Sequence, residues 1–309
     1  MKKILLSLAF TAAMAAPLAA HATRIGVTMA NSENFLAVLR NGMKAYAEAK
    51  SGVTLQFTDA ENDPSAQLNQ VQSLISQHVD ALIVNPVDTD TTPKITRLAV
   101  AGGIPLVYVN RMPADKTLPP KVSFVGSNEV ESGTLEMKEV CRQMGGKGNI
   151  LVMMGRLGDQ AARQRTKDIE DVISRSPCDG IKIVQKQTAN WLRVDASDLM
   201  SNWLSAGFKW DAIVANNDEM AIGAIQALKA TGKFDKKTIV AGIDGTQDAL
   251  ASMKNGDMKL TVFQDAFGQG RGAVDTALKL IAGLRVDSMV WIPFALVTPA
   301  NLTTYVARN

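Results

Sequence analysis

Short β-branched runs alternate with helical patterns along almost the whole chain, and this alternation narrows the fold more than any other feature. Residues 24–29 read as a first strand. A helix follows with Phe35, Leu39 and Met43 on one face, then a strand at 54–57. Asp63-Pro64 opens a helix that carries Leu68, Val71, Leu74 and Ile75 on one side. Strands at 81–84 and 105–109 flank a helix at 95–101, and 122–125 is apolar. The pattern then restarts with helices at 129–144, 161–173 and 194–204 between strands at 149–154, 181–184 and 212–215. Asp218 is read as the cap of a helix bearing Met220, Ala224 and Leu228 and closed by Gly232. Strands at 239–243 and 260–263, a helix near 270–281 and an extended segment at 290–297 complete the chain.

Such alternation implies parallel sheets covered by helices, doubly wound with right-handed crossovers. A chain of 309 residues holds too many units for one core, so two α/β lobes are expected. A TIM barrel shows a similar alternation, but the irregular spacing around 110–130 argues against it.

The N-terminus bounds the compartment. Lys2 and Lys3 precede an apolar run at 4–18, and Ala20-His21-Ala22 has the small-x-small pattern of a cleavage site. The run is too short for a comfortable membrane span. An export signal cleaved after Ala22 is expected, with a soluble mature chain in the periplasm. No cysteine follows the run, so no lipid anchor is expected. The formal charge of +3 falls to +1 once Lys2 and Lys3 leave, which gives no bias toward nucleic acid or anionic membranes. Cys141 and Cys178 are the only cysteines, either bridged or both free and buried. After cleavage His78 is the only histidine, so zinc sites and His-dependent nucleophile arrangements lack their residues. No cofactor or metal is expected.

In open parallel sheets, ligands sit beyond the carboxyl ends of the strands. The first strand is followed by Asn31, Asn34 and Phe35, and the second by Asp59 and Asn62. The next two end at Asn85 and at Asn110-Arg111. In the second half the ends give Arg163 and Arg165, Asn190-Trp191, Asn217-Asp218, Asp244 and Gln264-Asp265. Asn, Asp, Arg and Gln with two aromatics suit a polyol. Each hydroxyl both donates and accepts, carboxylates and guanidinium forks grip adjacent hydroxyls, and a ring's C–H face packs on an aromatic plane. The plainer reading of any one Asn or Asp here is a turn former or cap, which suits Asp63 and Asp218 in particular. Gly268-Gln269-Gly270-Arg271-Gly272 lacks the dinucleotide spacing, and Gly145-Gly146-Lys147-Gly148 lacks the P-loop spacing.

These strand ends resemble the type I periplasmic sugar-binding proteins, in particular the ribose-binding branch. The resemblance covers nearly the whole mature chain. It is carried by VNPVDTD (84–90), VNR (109–111), AARQR (161–165), ANNDEMAIGA (215–224), GIDGT (242–246) and VFQD (262–265). Within the branch, TMANSENFL (28–36), VNR in place of a D-R pair and WIPFALVTPAN (291–301) look most like inositol- and rhizopine-binding proteins of ABC transporters.

The resemblance implies that Phe35 and Trp191 sandwich a ring, one from each lobe. Asn85, Asn110 and Arg111 bind hydroxyls from the first lobe, and Arg165, Asn217 and Asp244 from the second. Gln264 sits where the chain returns between lobes, and Asn34 or Asn31 fills the place of an early asparagine. Residues 24–127 and 265–295 would form the first lobe, and 128–264 with 296–309 the second. A three-segment hinge near Ser127-Asn128, Gln264-Asp265 and residues 293–297 would close on ligand and present it to a membrane permease, the protein acting as a monomer. Ribose binders carry Asn-Pro-Phe-Phe in the first loop where this chain has Glu33-Asn34-Phe35-Leu36, so one aromatic wall is lost and ribose itself fits less well. A secreted glycosidase is disfavoured because Asn and Arg, not a carboxylate pair, dominate the strand ends. A repressor is disfavoured because an export signal stands where a DNA-binding helix-turn-helix belongs. Binding of another monosaccharide and ligand sensing for a chemoreceptor remain alternatives.

Overall fold

The computed structural model describes residues 22–306. The export signal read at 1–22 lies, except for Ala22, outside the described residues. The chain builds β1 (Thr23–Met29), α1 (Asn34–Glu48), β2 (Val53–Asp59), α2 (Pro64–Ser76), β3 (Ala81–Val84), α3 (Thr92–Ala101), β4 (Leu106–Val109) and β5 (Val122–Gly126). Then come α4 (Glu129–Met144), β6 (Lys147–Met154), α5 (Gln160–Ile173), β7 (Gly180–Thr188), α6 (Arg193–Ser205), β8 (Ala212–Ala215), α7 (Asp218–Ala230) and β9 (Ile239–Asp244). Last are α8 (Gln247–Lys254), β10 (Leu260–Gln264), α9 (Ala266–Ile281), β11 (Met289–Trp291), β12 (Phe294–Val297) and α10 (Leu302–Val306).

The strands form two six-stranded sheets, ordered β11-β5-β4-β3-β1-β2 and β12-β10-β9-β8-β6-β7. All pairs in the first are parallel, and in the second only β10 with β12 is antiparallel. Two open sheets with helices on both faces exclude the barrel and give the two-sheet α/β architecture. The central strands are uninterrupted apolar runs because both their faces are covered. Alternate residues serve opposite cores. Ala81, Ile83, Val107 and Val109 join the core under α1 and α9, whereas Leu82, Val84, Leu106 and Tyr108 join the core under α2 and α3. The second sheet divides likewise, Leu151, Met153 and Ile213 going one way and Ile150, Val152 and Val214 the other.

Three local readings are corrected. Asp218 is the first helical residue and not the cap of α7: Asn217 caps it, its Oδ1 accepting from the Met220 N–H at 3.0 Å. The residue before a buried helix start must supply the acceptor, and Asp218 is turned inward to accept from Thr261 Oγ1 at 2.6 Å and Thr246 N at 2.8 Å. Between Asp244 and Leu260 the sequence reading places no helix, but Thr246 caps the short α8. The extended segment at 290–297 is two strands in different sheets. Pro293 has no N–H to give a ladder, so β11 ends before it and Phe294 and Ala295 already pair with Gln264 and Phe263 of β10. The chain therefore passes from the first sheet to the second at 292–293, ahead of the boundary at 295. Asp63, by contrast, caps α2 through the N–H groups of Ser65 and Ala66.

Cys141, on α4, is bonded to Cys178 across 37 residues of sequence, with the Cα atoms 5.7 Å apart. This ties the end of α4 to the approach to β7. Closing a loop of that length in the unfolded chain is worth about 4 kcal/mol on the chain-entropy model. The double variant Cys141→Ala/Cys178→Ala is expected to lose roughly that much in urea unfolding, with its fold retained by circular dichroism.

Candidate functional site

Each sheet has its switch in strand order beside its first strand, where β1 meets β3 and β6 meets β8. The carboxyl ends of both sheets line one cleft. From the first half it receives Asn31, Glu33, Asn34, Phe35 and Leu36 of the β1–α1 turn, and Asn110 and Arg111 after β4. From the second come Glu129, Ala161, Arg165, Trp191, Asn217, Glu219, Asp244 and Gln264. Nine of the ten residues singled out in the sequence thus meet at one cleft. Asn85 does not reach it. Fully buried, it stands behind, accepting from Ala30 N at 3.2 Å and donating to Val109 O at 3.2 Å and to Asn110 Oδ1 at 3.4 Å. It positions Asn110 rather than facing the cleft.

Arg165 is the centre of the second half. Nε donates to Glu129 Oε2 at 2.7 Å and Nη2 to Glu129 Oε1 at 3.0 Å. Nη1 donates to Asn216 O at 2.6 Å and lies 3.7 Å from Asp244 Oδ1, while Nη2 donates to Gln264 Oε1 at 3.3 Å. The guanidinium carbon lies 5.6 Å from the Trp191 ring centre. Burial opposes the Arg165 charge, but the Glu129 carboxylate outweighs it and raises the pKa. Burial holds the Asp244 carboxyl well above the usual carboxylate range, with Arg165 pulling it back down. Glu136, fully buried on α4 with both oxygens unpartnered among the described residues, is pushed up in the same way. Burial also raises Glu33, against the pull of Arg156.

Trp191 is held from three sides. Its Nε1 donates to Asp159 Oδ2 at 2.7 Å, and its carbonyl accepts from Asn217 Nδ2 at 3.2 Å. Gly155 lies beneath the indole, where a Cβ would stand 2.2 Å from Cζ2, so no larger residue fits below this ring. Backbone strain gathers here as well. Asn110, Trp191 and Asp244 have φ of 67°, 72° and 128°, conformations that side-chain-bearing residues adopt only where the surroundings enforce them. In the first half, Asn110 Nδ2 donates to Gln269 Oε1 at 3.2 Å, and Arg111 Nη1 donates to Pro86 O at 2.8 Å.

The other strand-end residues are structural. Asn62 accepts from Asn31 Nδ2 at 2.9 Å, Asp59 accepts from Ser32, Asn190 donates to Asp195, Arg163 pairs with Asp90 at 3.0 Å, and Asp265 caps α9. The sequence reading missed Glu33, Glu129 and Glu219. Glu129 and Glu219 sit in the first turn of helices that follow strand ends, so extending the reading by one helical turn finds both. Glu219 is matched by Arg193 through bonds of 2.8 and 3.0 Å.

Chemically the cleft offers an aromatic face from each half, a guanidinium flanked by carboxylates, and several amides. Among the described residues its lining has no serine, cysteine or histidine. Residues 25–285 match the family described as periplasmic binding protein domain. Over its full length the chain is 54% identical to a Rhizobium meliloti protein, itself covered in full, provisionally named as rhizopine-binding. It is 38% identical, over 87% of this chain and 76% of the relative, to a xylitol-binding protein of Mycolicibacterium smegmatis. Among solved structures, an ABC transporter solute-binding protein from Bacillus halodurans with bound myo-inositol superposes with a TM-score of 0.89 at 42% identity, covering 94% of this chain and 99% of that one.

Arg165→Met leaves Glu129 and Asp244 without their shared cation. Breaking such a buried pair costs about 3–5 kcal/mol of stability near neutral pH. Arg165 lowers the pKa of Asp244 and of Glu136, so its removal raises both further. Carboxyls with a raised folded pKa bind more protons folded than unfolded, and stability then falls as pH rises. The deficit relative to wild type is expected to be smallest below those raised pKa values, where both carboxyls are protonated in either protein, and to grow as pH rises through and above them. Urea unfolding across that range measures it, and a pH-independent deficit contradicts the assignment.

Proposed function

The chain belongs to the periplasmic binding protein family, a family of solute-binding proteins and not of enzymes, and on that premise we propose that it captures a cyclitol, myo-inositol or a rhizopine-like inosamine, for an ABC importer. The observation that carries the reading is that Phe35 and Trp191, one from each half, line a cleft whose other residues, Leu36 and Ala161 apart, are Arg, Asp, Glu, Asn and Gln. Apolar C–H faces of a six-membered ring pack on the two aromatic planes. Equatorial hydroxyls reach the polar rim: Arg165 and Arg111 donate, Asp244 accepts, and Asn110, Asn217 and Gln264 do either. A site so built rejects analogues lacking a hydroxyl, because its own groups would be stranded. The named ligands of the relatives described above, a cyclitol in one and a rhizopine in another, support this choice over an aldose. So does the single aromatic residue of the first loop, Phe35.

Two lobes follow the two sheets, with chain crossings at 127–128, 264–265 and 292–293 as the hinge. Ligand favours the closed form because only there do both lobes touch it. The closed form then docks on the permease. The leader at 1–22 is removed on export, placing the mature protein in the periplasm.

Calorimetric titration of the mature protein, stripped of ligand by unfolding and refolding, tests this. Myo-inositol or scyllo-inosamine is expected to bind one to one, with ribose, galactose, xylose and xylitol at least about tenfold weaker. Phe35→Ala is expected to weaken the cyclitol by about 10- to 100-fold, the worth of one aromatic stacking face. Preference for an aldose or for xylitol contradicts the cyclitol assignment.

A further inference from the structure

Asp159 does not line the cleft, yet it joins two residues that do. It stands at the start of α5 with no accessible surface. Its Oδ2 accepts the indole N–H of Trp191 at 2.7 Å. The same oxygen lies 3.6 Å from Arg111 Nη1, which belongs to the first half. Its Oδ1 has no hydrogen-bond partner among the described residues. Arg111 is held independently within its own half, through the Pro86 and Val87 carbonyls at 2.8 and 3.3 Å. Both neighbours of Asp159 also meet the first half at one residue. Thr89 N and Oγ1 donate to Gly158 O at 3.3 and 3.0 Å, and Gln160 N donates to Thr89 Oγ1 at 3.1 Å.

We propose that Asp159 is the positioning residue that couples the Trp191 wall of the cleft to closure of the two halves through Arg111. The inference rests on the binding function proposed above. A buried indole N–H needs an acceptor, and a buried carboxylate with one bare oxygen needs a cation. Among the described residues Arg111 is the cation paired with it, across the contact between the two halves. When the halves part, Arg111 travels with β4 and Asp159 must be compensated by water. The fixed charge is therefore worth more closed than open, and it favours the closed form by that difference. One carboxylate so aims the ring-stacking indole and rewards the closure that traps the ring. Arg111 thereby acts in closure besides facing the cleft.

Asp159→Asn keeps an acceptor for the indole and removes the charge that Arg111 meets, whereas Asp159→Ala removes both. With myo-inositol as probe, the Asn variant is expected to bind roughly tenfold more weakly, chiefly through faster dissociation, and the Ala variant more weakly still. The ligand-free melting temperature of the Asn variant is expected to stay near wild type. Asn binding like wild type while Ala is weakened would leave Asp159 as an indole acceptor only and overturn the coupling. A lowered melting temperature with unchanged affinity would do the same. Should the wild type bind no cyclitol, the functional reading fails separately, and X-ray scattering of the ligand-free proteins decides. A larger radius of gyration for Asp159→Asn than for wild type supports the coupling, and equal radii overturn it.

Discussion

A single buried guanidinium organises the second half of this molecule. Arg165 draws the first turn of α4, the end of β8, the end of β9 and the end of β10 toward one point, through Glu129, the Asn216 carbonyl, Asp244 and Gln264. Burying that charge is costly, and only the paired carboxylates make it tolerable. The packing serves the pairing. Gly133 of α4 lies where a Cβ would stand 2.5 Å from the Arg165 carbonyl, so α4 and α5 approach closely enough for Glu129 and Arg165 to meet. The guanidinium also faces the Trp191 ring, so charge balance and the aromatic wall are set together.

The first half is built differently. Its polar residues are steadied by amides and carbonyls instead of by a carboxylate network: Asn85 behind Asn110, Gln269 beside it, and main-chain oxygens around Arg111. The two halves thus bring unlike equipment to one cleft, a charge-dense wall and an amide-rich one. That asymmetry suits a solute with hydroxyls all around its edge, since one side can donate strongly while the other adapts.

Much of this was legible in the sequence because parallel sheets write themselves plainly. Runs such as Ala81 to Val84 and Ala212 to Ala215 are apolar at every position, and the polar residue that follows each marks the carboxyl end of a strand. Reading those positions finds most of the cleft. The reading fails where a side chain's direction, and not its place in the chain, decides its role. Asn85 and Asn110 look alike in sequence, yet one turns into the protein and the other into the cleft. Asn217 and Asp218 exchange the expected roles of contact and cap in part, since Asn217 both caps α7 and lines the site. Asp159 was invisible because it acts on Trp191 across a distance of many residues that no local pattern records. The switch of sheets at Pro293 was blurred for a different reason: one extended stretch looks the same whether it serves one sheet or two.

In the proposed complex a cyclitol ring is held between Phe35 and Trp191 with its hydroxyls met by both halves. A crystal structure of the mature protein grown with myo-inositol tests it most directly. The predicted result is the ring stacked between those two side chains, with hydroxyls within hydrogen-bond distance of Arg165 and Asp244 on one side and of Asn110 or Arg111 on the other. A ring bound away from the two aromatics, or touching residues of one half alone, would contradict it.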